Sequence, residues 1–514
     1  MIAVLALSAT LASSQVSCES LKSLSLPNAT IVAAEMVPTG PYTPPGRGAA
    51  PAAPAAAEGR GRGGPGGVAP APPQIAPAHC RVNAILRPSP DSEIEMEAWL
   101  PENWNGKFQF VGGGGWAGTI SFPAMVTAIQ EGYATASTDT GHKGGNALFA
   151  INHPEKVVDF AYRAVHETTV QTKALITKYY ERPARLSYWN GCSTGGRQGL
   201  MEAQKFPDDF DAVIAGAPAN YQTHLHAWDL SVAVPVLNNP AAALTQSKLD
   251  ALRDAATSAC DAQDGVRDGL INNPRACKFD PSVLLCKGGD GPSCLTPPQL
   301  DAVKRAYATT KTKSGESVFP GKEPGSEYQW MAFLGGRQAP GVSVGSFQVA
   351  YNNADWDAKG FDVDRDLKIV DDKVGTIINA VNPDLSAFKA HGGKLLLYHG
   401  WNDTAISPGN TINYYESVLK SMGGKSGGKQ LDDFVRLYMA PGMQHCGGGP
   451  GPNQINYMAI MERWRESNQT PASIEAIHVA NNRVDMTRPL CPYPQVATYK
   501  GSGSVNDAGN FACK

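Results

Sequence analysis

One serine in this chain stands among residues small enough to let it act as a nucleophile. Gly191-Cys192-Ser193-Thr194-Gly195 has the form G-x-S-x-G. A serine there can occupy a strained turn between strand and helix, with small neighbours avoiding a clash and the hydroxyl left exposed. The N-terminus of the following helix favours developing negative charge, and the backbone N–H of Thr194 can face an oxyanion. Alone, the pattern is common by chance and reads equally as a glycine-rich loop. Its context is more specific: Leu186 to Trp189 reads as a buried strand and Gly196 to Lys205 as a helix.

Such a serine needs a base and an acid that orients it, each in a loop after a later strand, with the acid first in chain order. The apolar run Leu395 to Tyr398 ends in a loop holding Asp403, and the run ending at Met439 leads to Gln444-His445-Cys446-Gly447. Of ten histidines, only His445 lies beyond that last long strand in a glycine-rich loop. His399 is the rival base, but its place before the acid favours a structural hydrogen bond. His142, His166 and His391 read as locally satisfied surface or core residues, and a solvent-facing turn is the alternative for Asp403. Cys192 precedes the serine and Cys446 follows the histidine, so a bridge with Cα atoms ~4.4–6.8 Å apart would hold nucleophile and base as neighbours. Two unrelated buried thiols are the alternative. Gly112, opening the run Gly112-Gly113-Gly114-Gly115, is the candidate for a second oxyanion donor, against a merely flexible loop.

The elements that must position these residues follow a rhythm. Ile94 to Leu100, Phe108 to Val111 and Tyr133 to Ser137 read as strands, Phe160 to Tyr180 as a helix, and Ala212 to Ala215 as a strand after the serine's helix. This alternation predicts a mainly parallel sheet with covering helices, an α/β fold. Between 225 and 388 the rhythm stops and four cysteines and several Asp-Gly turns appear, the signature of an inserted domain. It resumes with Lys394 to Tyr398, Asn410 to Met422, Phe434 to Met439 and Tyr457 to Ser467. The core is therefore expected in two parts, 18–224 and 389–514. Within the first, residues 38–78 are rich in Pro, Gly and Ala and read as flexible; Cys18 and Cys80 flank them, and a bridge there would tie the N-terminal segment down. Residues 1–17 read as a signal peptide, although the first lysine is Lys22; a buried first strand or helix is the alternative.

Bulk properties narrow the classes. No run of about eighteen apolar residues could span a bilayer, and a net charge of -3 without a basic stripe offers nothing to nucleic acid. Ten cysteines without a CxxC pair point to disulfides and an oxidising compartment, secreted or periplasmic. Asp261, Asp264 and Asp268 share one glycine-punctuated loop, a set of hard oxygen ligands suited to Ca²⁺; ordinary Asp-Gly turns explain it equally, since the spacing is not an EF-hand's.

Taken together, the pairs Cys192-Ser193 and His445-Cys446, with Asp403 between them, resemble the tannase and feruloyl esterase family, which includes the mono(2-hydroxyethyl) terephthalate hydrolases. The stretches Asn103-Trp104-Asn105-Gly106-Lys107-Phe108, Ile214-Ala215-Gly216-Ala217-Pro218 and Thr487-Arg488-Pro489-Leu490-Cys491-Pro492-Tyr493-Pro494 extend the resemblance over nearly all of the chain except the Pro/Gly/Ala-rich segment. It implies an α/β-hydrolase core with a lid domain inserted after the strand near Ala215. It also implies the pairings Cys18–Cys80, Cys192–Cys446, Cys260–Cys277, Cys286–Cys294 and Cys491–Cys513. A structural calcium in the lid would be held by Asp261, Asp264 and Asp268 with the carbonyls of Val266 and Leu270, and no organic cofactor is implied. The implied activity is that of a serine carboxylesterase with Ser193, Asp403 and His445 as triad and Gly112 and Thr194 as oxyanion donors, acting on a small ferulate-like or gallate-like ester. A terephthalate monoester hydrolase is the runner-up. For it Ile406 offers only an aliphatic wall and Arg337 is a bare candidate for holding a carboxylate. A non-catalytic binding protein on the same scaffold is the rival from another class, disfavoured by the intact triad.

Overall fold

The computed structural model describes residues 16–42, 74–423 and 431–514. The expected leader and the Pro/Gly/Ala-rich segment therefore fall outside the described residues except at their ends.

Runs rich in aromatic and aliphatic side chains become the strands of one nine-stranded sheet. In chain order these are β1 (Ala29–Val37), β2 (His79–Leu86), β3 (Ile94–Pro101), β4 (Lys107–Val111), β5 (Ala134–Thr138), β6 (Leu186–Cys192), β7 (Ala212–Gly216), β8 (Lys394–Gly400) and β9 (Val435–Ala440). Their order across the sheet is β1-β2-β3-β5-β4-β6-β7-β8-β9. From β5 to β9 every pairing is parallel. The strands β4, β5 and β7 are buried at every residue, as parallel strands covered on both faces must be. The edge formed by β1, β2 and β3 is antiparallel, which makes the sheet mixed. The strands β1 and β2 were not legible, because β1 is an exposed edge and His79, Arg81 and Asn83 interrupt the apolar pattern of β2.

Helices Ala164–Tyr180 and Pro408–Ser421 cover one face through Leu175, Ile176, Ile412 and Val418. Helix Tyr457–Ser467 covers the other with Met461 and Trp464. The expected helix from Phe160 opens instead as a π-helical turn over Asp159–Arg163. After β4 the chain moves to β5 on one side and then returns to β6 on the other. That reversal opens a crevice at the carboxyl ends of β4 and β6, where ligands bind in open α/β sheets.

The chain leaves β7 at Gly216 and re-enters the neighbouring β8 at Lys394, so the residues between are inserted between two paired strands. This segment has its own core, including Trp228, Leu249, Leu252, Val303, Trp330 and Phe347. It is more helical than its sequence rhythm suggests: helices span Gln222–Asn238, Gln246–Cys260, Pro297–Tyr307, Gly341–Tyr351 and Val363–Val370. The first begins ahead of the boundary read at 225. It is buried on nearly every side, which removes the polar stripe that would reveal a helical period.

All five bridges are formed between Cys18 and Cys80, Cys192 and Cys446, Cys260 and Cys277, Cys286 and Cys294, and Cys491 and Cys513.

Helix Thr194–Lys205 lies so close to the end of β7 that a Cβ on Gly196 would stand 2.5 Å from the Gly216 carbonyl oxygen and 2.9 Å from Pro218 Cα. Both neighbours are backbone. Gly196→Ala is expected to cost about 1–3 kcal/mol and lower the melting temperature by several degrees. A melting curve matching the unsubstituted protein would contradict this packing.

Candidate active site

Ser193 follows β6 with φ 64° and ψ -123°, a conformation costly for any residue with a side chain. The turn closes only because its neighbours lack Cβ atoms: one on Gly191 would lie 2.6 Å from the Gly195 carbonyl oxygen, and one on Gly195 would lie 3.1 Å from that of Gly113. The Ser193 N–H is donated to the Gly216 carbonyl at 2.9 Å, which anchors the turn to β7. Thr194 opens the helix, so its N–H has no acceptor within the helix and is available to a ligand.

Asp403 sits three residues beyond β8 with its side chain fully buried. Its Oδ1 accepts the N–H groups of Ala405 and Ile406, both at 2.8 Å. Its Oδ2 accepts His445 Nδ1 at 2.7 Å and His399 Nε2 at 3.0 Å. Burial alone would raise this carboxyl. The charge of His445 and the hydrogen bonds from both imidazoles outweigh it and hold the group far below the usual carboxylate range. Because Nδ1 of His445 is the donor to an ionised carboxylate, its Nε2 is the acceptor. His399, fully buried and hydrogen-bonded to Thr411 Oγ1 at 2.7 Å through its other nitrogen, is a structural partner of Asp403.

The bridge Cys192–Cys446, with Cα atoms 5.9 Å apart, joins the residue before Ser193 to the residue after His445. The hydrogen bond expected between Ser193 and His445 is not formed: among the described residues Ser193 Oγ has no partner. Such contacts are often long without substrate and tighten in the complex.

Gly112 requires a correction. Its N–H is donated to the Asn190 carbonyl at 3.1 Å, continuing the ladder between β4 and β6, and is not free for an oxyanion. The N–H of Gly113 is likewise taken, by Gln198 Oε1 at 3.1 Å. Gly115, with φ 54°, is the member of the run that lines the cavity at Ser193, and its carbonyl accepts Thr194 Oγ1 at 3.0 Å. Its N–H has no acceptor among the described residues. Nothing in four consecutive glycines marks where the ladder stops.

The cavity beside Ser193 has a volume of about 210 Å³. Ala219, Leu225, Phe333, Val342 and Ile406 give it apolar walls, and Gln222, His226 and Asp229 line it as well. These three were not singled out from the sequence, because a helix buried all round gives no sign of which face borders a void. Arg337 is exposed and does not line the cavity. His142 stacks on Phe149 and shares a hydrogen bond with the Trp116 carbonyl at 2.7 Å. His166 pairs with Asp209 at 2.6 Å, and His391 lies 3.2 Å from Asp208.

In the acidic loop the three carboxylates are not gathered on one point. Asp261 accepts the N–H groups of Asp268 and Gly269, each at 3.1 Å, and Asp268 pairs with Arg488 at 2.5 Å. Burial raises the carboxyl of Asp264, and the charge of Asp268 raises it further. Asn272 Nδ2 donates to Asp264 Oδ2, and the buried Oδ1 of Asn272 has no partner among the described residues. Among the described residues, candidate metal-ligating atoms are instead brought together by Cys286, Asp290 and Cys294, whose sulfurs are already bonded to each other, and by His166, Glu202 and Asp209.

A profile of the family described as tannase and feruloyl esterase matches residues 80–514. An uncharacterized esterase of Xanthomonas campestris is 37% identical over 98% of this chain and 92% of its own. Feruloyl esterase B of Aspergillus oryzae superposes with a TM-score of 0.87 at 31% identity, covering 97% of this chain and 99% of that one. A tannin acyl hydrolase of Aspergillus niger shares the fold at a TM-score of 0.75 and 22% identity, over 95% and 92% of the two chains.

Replacing both members of the bridge, Cys192→Ser with Cys446→Ser, is expected to cost about 2–4 kcal/mol of stability. Releasing the histidine loop should also lower turnover by about tenfold or more. Thermal denaturation and steady-state kinetics on the same preparation check both; wild-type turnover would remove the positioning role of the bridge.

Proposed function

The chain belongs to the tannase and feruloyl esterase family, and from that premise we propose how its residues carry out the hydrolysis of aromatic-acid esters. It is a carboxylic ester hydrolase. Ser193 Oγ attacks the ester carbonyl and passes its proton to His445 Nε2, giving a tetrahedral oxyanion held by the N–H groups of Thr194 and Gly115. The imidazolium, oriented by Asp403, returns the proton to the departing alkoxide, which leaves as the alcohol. Water, activated by His445 Nε2, then cleaves the acyl-enzyme and releases the acid.

The observation that carries this reading is the convergence of three loops. Asp403 lies 2.7 Å from His445 Nδ1, and a disulfide ties the residue after that histidine to the residue before a strained serine. The small apolar cavity supports an aromatic acyl group. No lysine or arginine lines it among the described residues, which weighs against a terephthalate monoester and its carboxylate. Ser193→Ala should lower kcat/KM on methyl ferulate and methyl gallate by about 10⁴-fold or more with the melting temperature retained. Hydrolysis persisting above that level would refute the mechanism.

We assign to the inserted segment the role of a lid over this cavity. For calcium, the donor set fits: the carboxylates of Asp261, Asp264 and Asp268 and the carbonyls of Val266 and Leu270 are hard oxygen ligands. Burial and the charge of Asp268 both raise the carboxyl of Asp264, and together with the orphaned Asn272 oxygen beside it they support a cation there. Its role would be structural, because Val266 packs with Cys491, Ala497 and Phe511 of the C-terminal tail, and the ion would fasten the inserted segment to that tail. Chelation should remove about one equivalent of calcium and lower the melting temperature, with recovery on adding Ca²⁺ back. No change in either metal content or melting would sink the assignment.

Five bridges that use all ten cysteines support an oxidising, secreted or periplasmic location. No described helix is long and apolar enough to cross a membrane.

A further inference from the structure

Away from the cavity, one acid in the core lacks every partner its charge needs. Glu202 lies on helix Thr194–Lys205 with 1% of its surface exposed, and neither of its carboxylate oxygens has a hydrogen-bond partner among the described residues. Glu97, buried as deeply, is bonded by Arg81, Asn83 and Trp99. A carboxylate taken out of water without donors is costly, so Glu202 has to be neutralised by a proton or by a cation. Lys173 does not do this. Its ammonium donates to the backbone carbonyls of Asp209 at 2.6 Å and Asp208 at 3.4 Å, and it forms no ion pair with Glu202 among the described residues.

The chain around Glu202 brings further ligand atoms to it. Helix Thr194–Lys205 ends as the Phe206 N–H is donated to the Glu202 carbonyl at 2.8 Å, and the Asp209 N–H is donated to the Phe206 carbonyl at 2.9 Å, a turn that returns Asp209 toward Glu202. From helix Ala164–Tyr180, His166 shares a hydrogen bond through Nδ1 with Asp209 Oδ2 at 2.6 Å. Its ring stacks on Phe206, with centroids 3.8 Å apart and planes 10° from parallel, which fixes the plane of its nitrogens. One ligand atom from each of His166, Glu202 and Asp209 lies within 4.8 Å of the other two. A tetrahedral ion with bonds of about 2.0–2.1 Å holds its ligands about 3.3–3.4 Å apart, so side-chain shifts of about 1.5 Å or less close the set. The His166 side chain is 29% exposed and that of Asp209 12%, so an ion can enter past them and come to rest against the buried acid.

We propose that His166, Glu202 and Asp209 form a binding site for a first-row divalent transition metal, Zn²⁺ foremost, with water completing its coordination. Ca²⁺ and Mg²⁺ take oxygen ligands throughout, whereas an imidazole beside two carboxylates suits Zn²⁺, and the two acids balance its charge. On binding, the imidazole proton moves from Nδ1 to Nε2, Nδ1 becomes the ligand, and any proton on Glu202 leaves to solvent. The site is separate from the loop of Asp261, Asp264 and Asp268, whose donors are all oxygens. Its role is structural. Glu202 stands nine residues beyond Ser193, about 13 Å along the helix, so the ion touches no reacting group. It fastens the far end of the serine's helix to helix Ala164–Tyr180.

The test titrates Zn²⁺ into the full chain after chelator treatment and return to excess Ca²⁺, by calorimetry and by thermal denaturation. One equivalent should bind, and free Zn²⁺ at about 100 times its Kd should raise the melting temperature by about 2–5 °C. Co²⁺ in its place should give the visible bands of a four- or five-coordinate nitrogen and oxygen site, to which no thiolate contributes because all ten cysteines are bridged. Glu202→Gln, of nearly the same shape, should weaken Zn²⁺ binding by about 10- to 100-fold and shrink the melting shift. His166→Gln, at a partly exposed position less apt to disturb folding, should do the same, and it decides the matter where Glu202→Gln does not fold. Absence of Zn²⁺ binding overturns the proposal and leaves a proton shared between Glu202 and Asp209 to neutralise the acid. Binding of unchanged strength in the folded variants overturns it as well, because the ion then sits elsewhere.

Discussion

A single buried charge organises the site. Asp403 has no contact with solvent, yet it is held ionised, and its bond to Nδ1 fixes the tautomer of His445. Four donors meet that demand: two N–H groups of its own loop and two imidazoles. Each constrains something beyond itself. The turn at Ala405 and Ile406 brings Ile406 to the cavity wall, and His399 ties the end of β8 to the helix bearing Thr411. The position of His445 in turn needs a loop that is close but not collapsed, and the bridge to Cys192 limits how far that loop can stray. A charge that cannot be solvated thus dictates the arrangement of loops from distant parts of the chain.

Two layers build the walls of the cavity. The sheet places the strained Ser193, Asp403 and His445 in the loops beyond the carboxyl ends of β6, β8 and β9. The inserted segment supplies most of the remaining walls, from helix Gln222–Asn238 and from Phe333, Pro340 and Val342. Its core is continuous with Trp116 and Phe160 on the sheet side, so it packs directly onto the layer that bears Ser193. Substitutions within the segment can therefore reshape the cavity without moving Ser193, Asp403 or His445.

The parts legible in the sequence were those with a local signature. Ser193 announced itself through glycines that a tight turn requires, and Asp403 and His445 through their places after long apolar strands. The parallel strands read clearly because burial on both faces makes them continuous apolar runs. The antiparallel edge did not, since β1 is exposed and β2 carries polar residues that pair with β3, as Asn83 does with Glu95 and Glu97. Helices of the inserted segment escaped for the opposite reason: buried on nearly every side, they lack the polar stripe from which a period is read. Gly112 failed at a finer scale. Whether a glycine N–H is free depends on how far the pairing of β4 with β6 continues, and that is decided by Asn190, a residue far along the chain.

Groups that break the ordinary rules of burial occur in the core, where neither carboxylate oxygen of Glu202 has a hydrogen-bond partner among the described residues, and again at the cavity. Other buried acids are well partnered, as Glu97 is by Arg81, Asn83 and Trp99. At the cavity, Asp229 keeps an open oxygen, His226 an open nitrogen, and nearby Lys322 an ammonium with no hydrogen bond. A protein optimised for stability alone would pair such groups with one another or replace them with apolar side chains. Local rules fail most often where function demands it. Ser193, strained and unpartnered, and Asp229, half-satisfied, line the same cavity, so these deficits are open to whatever enters it.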